Sequence, residues 1–162
     1  MRKQVFSILV DNNPGVTSRI SGLFTRRGYN IDSFTSGPTE DPRVTRITIV
    51  STGEEQILTQ IEKQLCKLED VREVEALKDD EFVYRELVLV NVKVDAAHRA
   101  EVVSLVDIFR AKVVDVEKEC MMIELTGTQS KLDAFLDLIK GYEIIDLART
   151  GITALTKGVI EK

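Results

Sequence analysis

The spacing of apolar residues changes several times along the first half of the chain, and each change predicts a new element. Residues 4–10, QVFSILV, alternate well enough for a strand, and a helical stripe follows them. The stripe consists of Val16, Ile20, Leu23 and Phe24. Two further strands are predicted over 31–36 and 44–51, an amphipathic helix over 57–68, and a closing strand over Val71–Leu77. The predicted order of residues 1–77 is therefore βαββαβ.

Capping residues predict where the two helices begin and end. Asn13 is placed to cap the first helix, and Pro14 suits the first helical position. Gly28 can supply the left-handed residue that stops this helix. The segment from Thr52 to Glu55, TGEE, has the form of a capping box and predicts the start of the second helix.

The second half of the chain repeats the same order after a charged stretch. That stretch, KDDEF, predicts a linker over residues 78–82. A long strand is predicted over 83–94, a helix around Val102, Val103, Val106 and Phe109, a hairpin over 112–116 and 121–126, and a last strand over 144–148. A second helical stripe, ended by Gly141, consists of Leu132, Phe135, Leu136 and Ile139.

Two successive βαββαβ units predict an α+β protein with two tandem ferredoxin-like domains. We expect the first domain over residues 1–77 and the second, with a C-terminal tail, over residues 83–162. Each unit would be an antiparallel sheet covered by two helices on one face. Free sheet edges and an uncovered face often recruit another chain, so an oligomer is expected.

Composition and charge restrict the possible partners. The 162 residues are 43% hydrophobic and carry a formal net charge of −5, with an isoelectric point near 5.1. Basic residues are scattered, which argues against nucleic acid and against an anionic membrane as partners. No apolar run approaches the roughly 18 residues of a membrane span. Cys66 and Cys120 lie on patterns that predict burial and reduced thiols, and we expect a cytoplasmic protein.

The sequence offers little catalytic machinery. His98, the only histidine, lies in the polar segment DAAHRAE, where an exposed histidine is a simpler interpretation than a catalytic base. No serine or cysteine has an oriented base by motif or spacing, and no nucleotide loop or zinc spacing is present. We therefore expect no catalytic residue and no metal ligand in this chain.

The segment 12–31, NNPGVTSRISGLFTRRGYNI, has features suited to a free amino acid. A helix N-terminus offers unpaired N–H groups to a carboxylate, and a glycine there lets a ligand approach the backbone. The amide oxygens of Asn12, Asn13 and Asn30 could accept from an ammonium group. On spacing alone, a capped helix without any ligand is the simpler interpretation.

The stretch DNNPGVTSRISGLFTRRGYNIDSFTSGPTEDP closely resembles the first segment of the acetolactate (acetohydroxyacid) synthase small-subunit family, whose first half is an ACT domain. The resemblance continues through IEKQLCKLEDV, RELVLVNVKV, DIFRAKVVDV, ELTGTQSKLDAFLDLI and ARTG. It implies that valine or a related branched-chain amino acid binds between the ACT domains of a homodimer. The implied effector-binding residues are Asn12, Pro14, Gly15 and Val16 from one subunit, with Asn30 and Ile31 from the other.

The resemblance also implies partners and cofactors. The chain would be the regulatory subunit that activates a separate large catalytic subunit and confers feedback inhibition. Thiamine diphosphate, a divalent metal and FAD would all be held by that large subunit, with no cofactor in this chain. One departure is Thr17, where the family commonly has an apolar residue. The alternatives are a stand-alone tandem-ACT sensor acting in gene regulation and, more distantly, an enzyme on a ferredoxin-like fold.

Overall fold

The computed structural model describes residues 1–158, and its first unit has the predicted βαββαβ order. The elements are β1 (Arg2–Asp11), α1 (Val16–Arg27), β2 (Ser33–Pro38), β3 (Val44–Gly53), α2 (Glu55–Cys66) and β4 (Val71–Leu77). The sheet has the order β2-β3-β1-β4, and every neighbouring pair is antiparallel. Because β1 lies in the centre of this sheet, the loop that follows it emerges beside the turns on both sides.

Alternation along the central strands builds the core of the first unit. Phe6, Ile8 and Val10 of β1 face the helices and are at most 1% exposed. The predicted stripe of α1 is buried against them, with Ile20 and Phe24 at its centre. The apolar stripe of the helix and the alternating apolar residues of the strand are therefore buried against each other, as expected for a sheet covered by helices on one face.

The second unit repeats this architecture, which confirms the predicted α+β class with two tandem ferredoxin-like arrangements. Its elements are β5 (Phe82–Lys93), α3 (Arg99–Ile108), β6 (Lys112–Val116), β7 (Cys120–Gly127), α4 (Gln129–Ile139) and β8 (Glu143–Arg149). The strand order is β6-β7-β5-β8. Val88, Val90 and Val92 line its core, as their alternation predicts.

The tail behaves differently from our expectation. We expected all residues after 83 to belong to the second domain, whereas the compact second unit is Tyr84–Gly151 and residues 152–158 join the first unit. Ile152 donates its N–H to Ser33 Oγ at 3.1 Å and accepts from Thr35 Oγ1 at 2.9 Å. Strand β9 (Thr153–Thr156) follows, and Thr156 donates to Glu75. Residues 159–162 of the expected tail lie outside the described residues.

Two predicted helix starts are wrong, and both for the same reason. α1 begins after Gly15 without a side-chain cap, and the N–H of Asn13 donates to the Asp11 carbonyl at 2.9 Å in the preceding loop. α2 begins after Glu54, and the Thr52 hydroxyl donates to Asp32 instead of capping. In each case the preceding strand or loop runs further than local propensity indicates, so tertiary pairing decides the helix start.

The predicted stop at Gly28 is confirmed. This residue takes a left-handed φ of 68°, and Tyr29 donates its N–H to the Phe24 carbonyl at 2.9 Å. Burial of Cys66 was wrongly predicted, because this last residue of α2 lies outside the buried stripe and is exposed. Cys120 is partly buried, and both cysteines are free thiols.

Candidate functional site

The loop after β1 is held by the turns on both sides of the central strand. The N–H of Asp11 donates to the carbonyl of Asp70, in the α2–β4 turn, at 2.8 Å. The N–H of Asn12 donates to the carbonyl of Arg43, in the β2–β3 turn, at 2.8 Å, and its side-chain Nδ2 donates to Pro42 at 3.0 Å. The candidate effector loop is thus fixed by backbone bonds before any ligand arrives.

Gly15 sets the direction in which α1 leaves this loop. Its φ of 84° lies in the left-handed region, which a side chain would make unfavourable. The first intrahelical bond runs from Arg19 N–H to the Gly15 carbonyl at 2.9 Å, so the amides before Arg19 have no helical acceptor. The first turn carries no acidic residue. This end of α1 is therefore a positive, exposed backbone surface suited to a carboxylate.

Arg19 and Asp70 lie beside this loop, although sequence reasoning did not select them. Arg19 Nε lies 2.5 Å from Asp70 Oδ2, and Arg19 Nη2 donates to the Pro14 carbonyl at 3.4 Å. A Cβ placed on Gly15 would lie 2.9 Å from Arg19 Nη1, so the guanidinium lies directly over this glycine. The available sequence signal was the i,i+4 spacing from Gly15 to Arg19, which stacks the two positions on one helix face.

The other predicted half of the site lies after α1. Asn30 is exposed, its carbonyl accepts from Ser51 Oγ at 2.5 Å, and its Nδ2 donates to Asp32. Ile31 is partly buried and packs on the core of the first unit. This second segment is therefore anchored to β3 and to its own strand independently of the first loop.

The two halves of the site are separated by the length of α1. The helix has 12 residues, which span about 18 Å at 1.5 Å per residue. One chain consequently does not bring Asn12 and Asn30 around a single amino acid. A pocket that uses both halves therefore does not lie within a single chain.

The side chains offer acceptors to an ammonium group from both halves. Asn12 and Asn30 each use their Nδ2 within the chain, which leaves their Oδ1 atoms as acceptors. Pro14 and Thr17 are exposed, whereas Val16 as a whole residue is 4% exposed and its side chain packs in the core. Val16 can therefore contribute to this surface through its backbone alone.

Asp41 stabilises the turn that supports Asn12. Its carboxylate accepts from the backbone N–H of Arg43 at 3.0 Å and from the Arg43 guanidinium at 2.9 and 3.0 Å. The hydrogen bonds from the Arg43 side chain lower the pKa of Asp41 to about 2. The turn is thus held by a charged pair at neutral pH.

Comparison with known families agrees with this architecture. A family model described as the small subunit of acetolactate synthase matches residues 85–158, and one described as an AHAS small subunit-like ACT domain matches residues 6–73. A probable acetolactate synthase small subunit of Methanothermobacter thermautotrophicus is 44% identical over 155 residues, covering 95% of this chain and 92% of the relative. The chain belongs to the acetolactate synthase small-subunit family. The resemblance found in the sequence is confirmed.

Relatives and a solved structure of this family cover nearly the whole chain. The small subunit of acetolactate synthase isozyme 3 of Escherichia coli is 43% identical over 157 residues, covering 96% of each chain. The crystal structure of the acetolactate synthase small subunit from Thermotoga maritima is similar with a TM-score of 0.92 at 39% identity. It covers 99% of this chain and 100% of the Thermotoga chain.

Away from the candidate site, the second unit of this small-subunit chain contains a polar cleft. The cleft has a volume of about 650 Å³ and includes His98, Asp95, Glu101 and Tyr142. His98 Nδ1 lies 2.7 Å from Asp95 Oδ1, which raises the pKa of this exposed histidine. Among residues 1–158, no group of three or more His, Cys, Asp or Glu side chains is placed to hold a metal ion, and no helix is long and apolar enough to cross a membrane.

Proposed function

We propose that this chain is the regulatory subunit of acetolactate synthase, which activates the large catalytic subunit and makes it sensitive to feedback inhibition by a branched-chain amino acid. The observation that carries the proposal is the exposed start of α1. There a left-handed Gly15 and unpaired amides follow a loop held on both sides, within a chain of the small-subunit family. These features favour a ligand carboxylate over a catalytic reaction.

The effector is proposed to bind between two copies of the first unit. Its carboxylate would lie at the start of α1 near Gly15, with Pro14 and the Val16 backbone beside it. The Oδ1 atoms of Asn12 from one copy and Asn30 from the other would accept from its ammonium group. Ile31 would contribute apolar contact to its branched side chain. The separation of the two halves by about 18 Å along α1 supports a site shared by a homodimer.

The carbon–carbon bond-forming chemistry is proposed to belong to the large subunit. Thiamine diphosphate, a divalent metal and FAD would be bound there, and this chain would act on the reaction through binding alone. Feedback inhibition then requires that the effector bind the less active state of the complex more tightly. The names of the relatives support a large-subunit partner, because each is described as a small subunit of acetolactate synthase.

Reconstitution of the two subunits tests this proposal. The purified chain alone should form no acetolactate from pyruvate. Addition of the matching large subunit should give activity above that of the large subunit by itself, and valine, leucine or isoleucine should reduce it. Substantial turnover by the isolated chain would contradict the proposal. So would failure to copurify with the large subunit, which would favour a stand-alone sensor.

A further inference from the structure

The guanidinium of Arg19 has a position that its own helix does not explain. A cation in the first turn of a helix opposes the helix dipole, and α1 carries no acidic residue in that turn to offset it. The compensating charge comes from Asp70, in the α2–β4 turn, 51 residues away in sequence. Tertiary structure therefore places the Arg19 guanidinium here, although its charge interacts unfavourably with the dipole of α1.

Asp70 fixes the effector loop through two separate contacts. Its backbone carbonyl accepts from Asp11 N–H at 2.8 Å, at the end of β1. Its carboxylate, of which 16% is exposed, holds Arg19 Nε at 2.5 Å. Arg19 in turn donates to the Pro14 carbonyl at 3.4 Å and lies over Gly15. The loop from Asp11 to Gly15 is thus connected at both of its ends to the same residue.

We propose that Arg19, held by Asp70, is the positioning residue of the effector site: it keeps the Pro14 carbonyl and Gly15 in the conformation that presents the first amides of α1 to a carboxylate. This inference rests on the proposed function and adds a residue pair to it. A preorganised loop binds more tightly because its ordering does not have to occur on binding. Loss of either side chain removes the same contact with Pro14 and Gly15, so the two losses do not add.

The pair should influence affinity far more than stability. The Arg19 side chain is half exposed, whereas only 16% of the Asp70 side chain is exposed. Because solvent reaches the guanidinium and screens the pair, its contribution to folding stability is small. Arg19→Met should therefore leave the melting temperature within about 2 °C of the wild type. It should weaken binding of the preferred branched-chain amino acid to the full-length chain by roughly ten-fold. Asp70→Asn should have a similar effect.

The experiment is a double-mutant cycle measured by calorimetry with valine, leucine and isoleucine. Arg19→Met, Asp70→Asn and the double variant are compared with the wild-type chain and with the control Arg2→Met. Arg2 also forms an exposed ion pair, with Glu55 at the start of α2, and has no contact with the effector loop. The double variant should bind within about two-fold of the weaker single variant, and Arg2→Met should bind like the wild type.

The outcomes separate this inference from the proposed function. If the wild-type chain binds none of the three amino acids, the proposed function fails. If the wild type binds and Arg19→Met binds within about two-fold of it, the positioning role fails while the proposed function stands. Additive losses in the double variant, or a melting temperature more than about 2 °C below that of Arg2→Met, would also overturn the positioning role. If Arg19→Met does not fold, Arg19→Gln replaces it in the same cycle.

Discussion

Gly15 combines two constraints at one residue. Its φ of 84° disfavours any side chain, and Arg19 Nη1 occupies the space that a Cβ would approach. A carboxylate introduced here would meet both the start of α1 and the Arg19 guanidinium. It would therefore compete with a ligand carboxylate for the same positive surface.

Gly15→Asp should accordingly abolish effector inhibition while largely preserving activation of the large subunit. Two carboxylates about 4 Å apart repel by about 4 kcal/mol at an effective dielectric constant near 20, and pairing with Arg19 reduces this value. Gly15→Ala is the matched control, because it introduces strain of about 1–2 kcal/mol without a charge. Calorimetry should show weaker effector binding in the Asp variant than in the Ala variant. Equal affinities would mean that charge plays no part.

Asp41 gives a prediction at acidic pH. Its pKa is lowered from 3.8 to about 2 in the folded chain by the Arg43 side chain. A pKa that is lowered in the folded state stabilises the fold at pH values above the ordinary pKa of 3.8. This contribution is lost as the pH falls from 3.8 through about 2. Denaturant unfolding between pH 5 and pH 2 should therefore show a steeper acid loss in the wild type than in Asp41→Asn. Parallel curves would contradict the assignment.

At the scale of elements, α1 separates the two halves of the candidate site, and β9 belongs to the first unit. Residues 152 and 154 are buried at 2% exposure, while Leu155, on the other face of the strand, is 57% exposed. The hydroxyl groups of Ser33 and Thr35 face this segment because Phe34, between them, packs in the core. The tail thus contacts β2 through side chains that point away from the core.

Ile152→Ala should destabilise the chain by about 2–5 kcal/mol, the usual cost of truncating a buried Ile. Leu155→Ala provides the control from the same strand, and it should change stability by no more than about 0.5 kcal/mol. Denaturant unfolding of both variants, followed by a probe in the first unit, measures the difference. Similar stabilities for the two variants would show that the tail does not stabilise this unit.

At the scale of the whole molecule, a site shared by two subunits predicts a different result from a site within one chain. Asn30→Ala removes a polar contact to a charged group, a loss of roughly 1.5–3 kcal/mol or about 10- to 150-fold in affinity. Tagged heterodimers can carry Gly15→Asp in one subunit and Asn30→Ala in the other, or both changes in the same subunit.

The first heterodimer should keep one near-native site, because both changes fall in one pocket and the other remains intact. The second should keep none, because each pocket receives one change. Calorimetry of the two preparations measures the number of intact sites. Identical binding by the two heterodimers would show that the pocket is not shared between subunits.

The sequence by itself determined the βαββαβ order of both units and most of the apolar stripes that build their cores. Apolar periodicity is a local property, so Val71–Leu77 and Lys112–Val116 were predicted with their observed bounds. The glycine stop at Gly28 was likewise predictable, since a left-handed residue ends a helix through bonds within one turn. The family resemblance identified a set of effector-binding residues, and their role stays a prediction: Asn12, Pro14, Gly15, Val16, Asn30 and Ile31.

Tertiary structure alone decided the features that depend on residues distant in sequence. Asn13 does not cap α1, because the loop is held by bonds to the turns at Arg43 and Asp70. The Arg19–Asp70 pair spans 51 residues, and no local pattern joins its members. Residues 152–158 group with the first unit, where Ile152 is buried and hydrogen-bonded to Ser33 and Thr35, more than 115 residues earlier in the sequence. Local energies determined where the helices and strands form. Long-range pairing determined the conformation of the effector loop, the Arg19–Asp70 pair and the position of the tail.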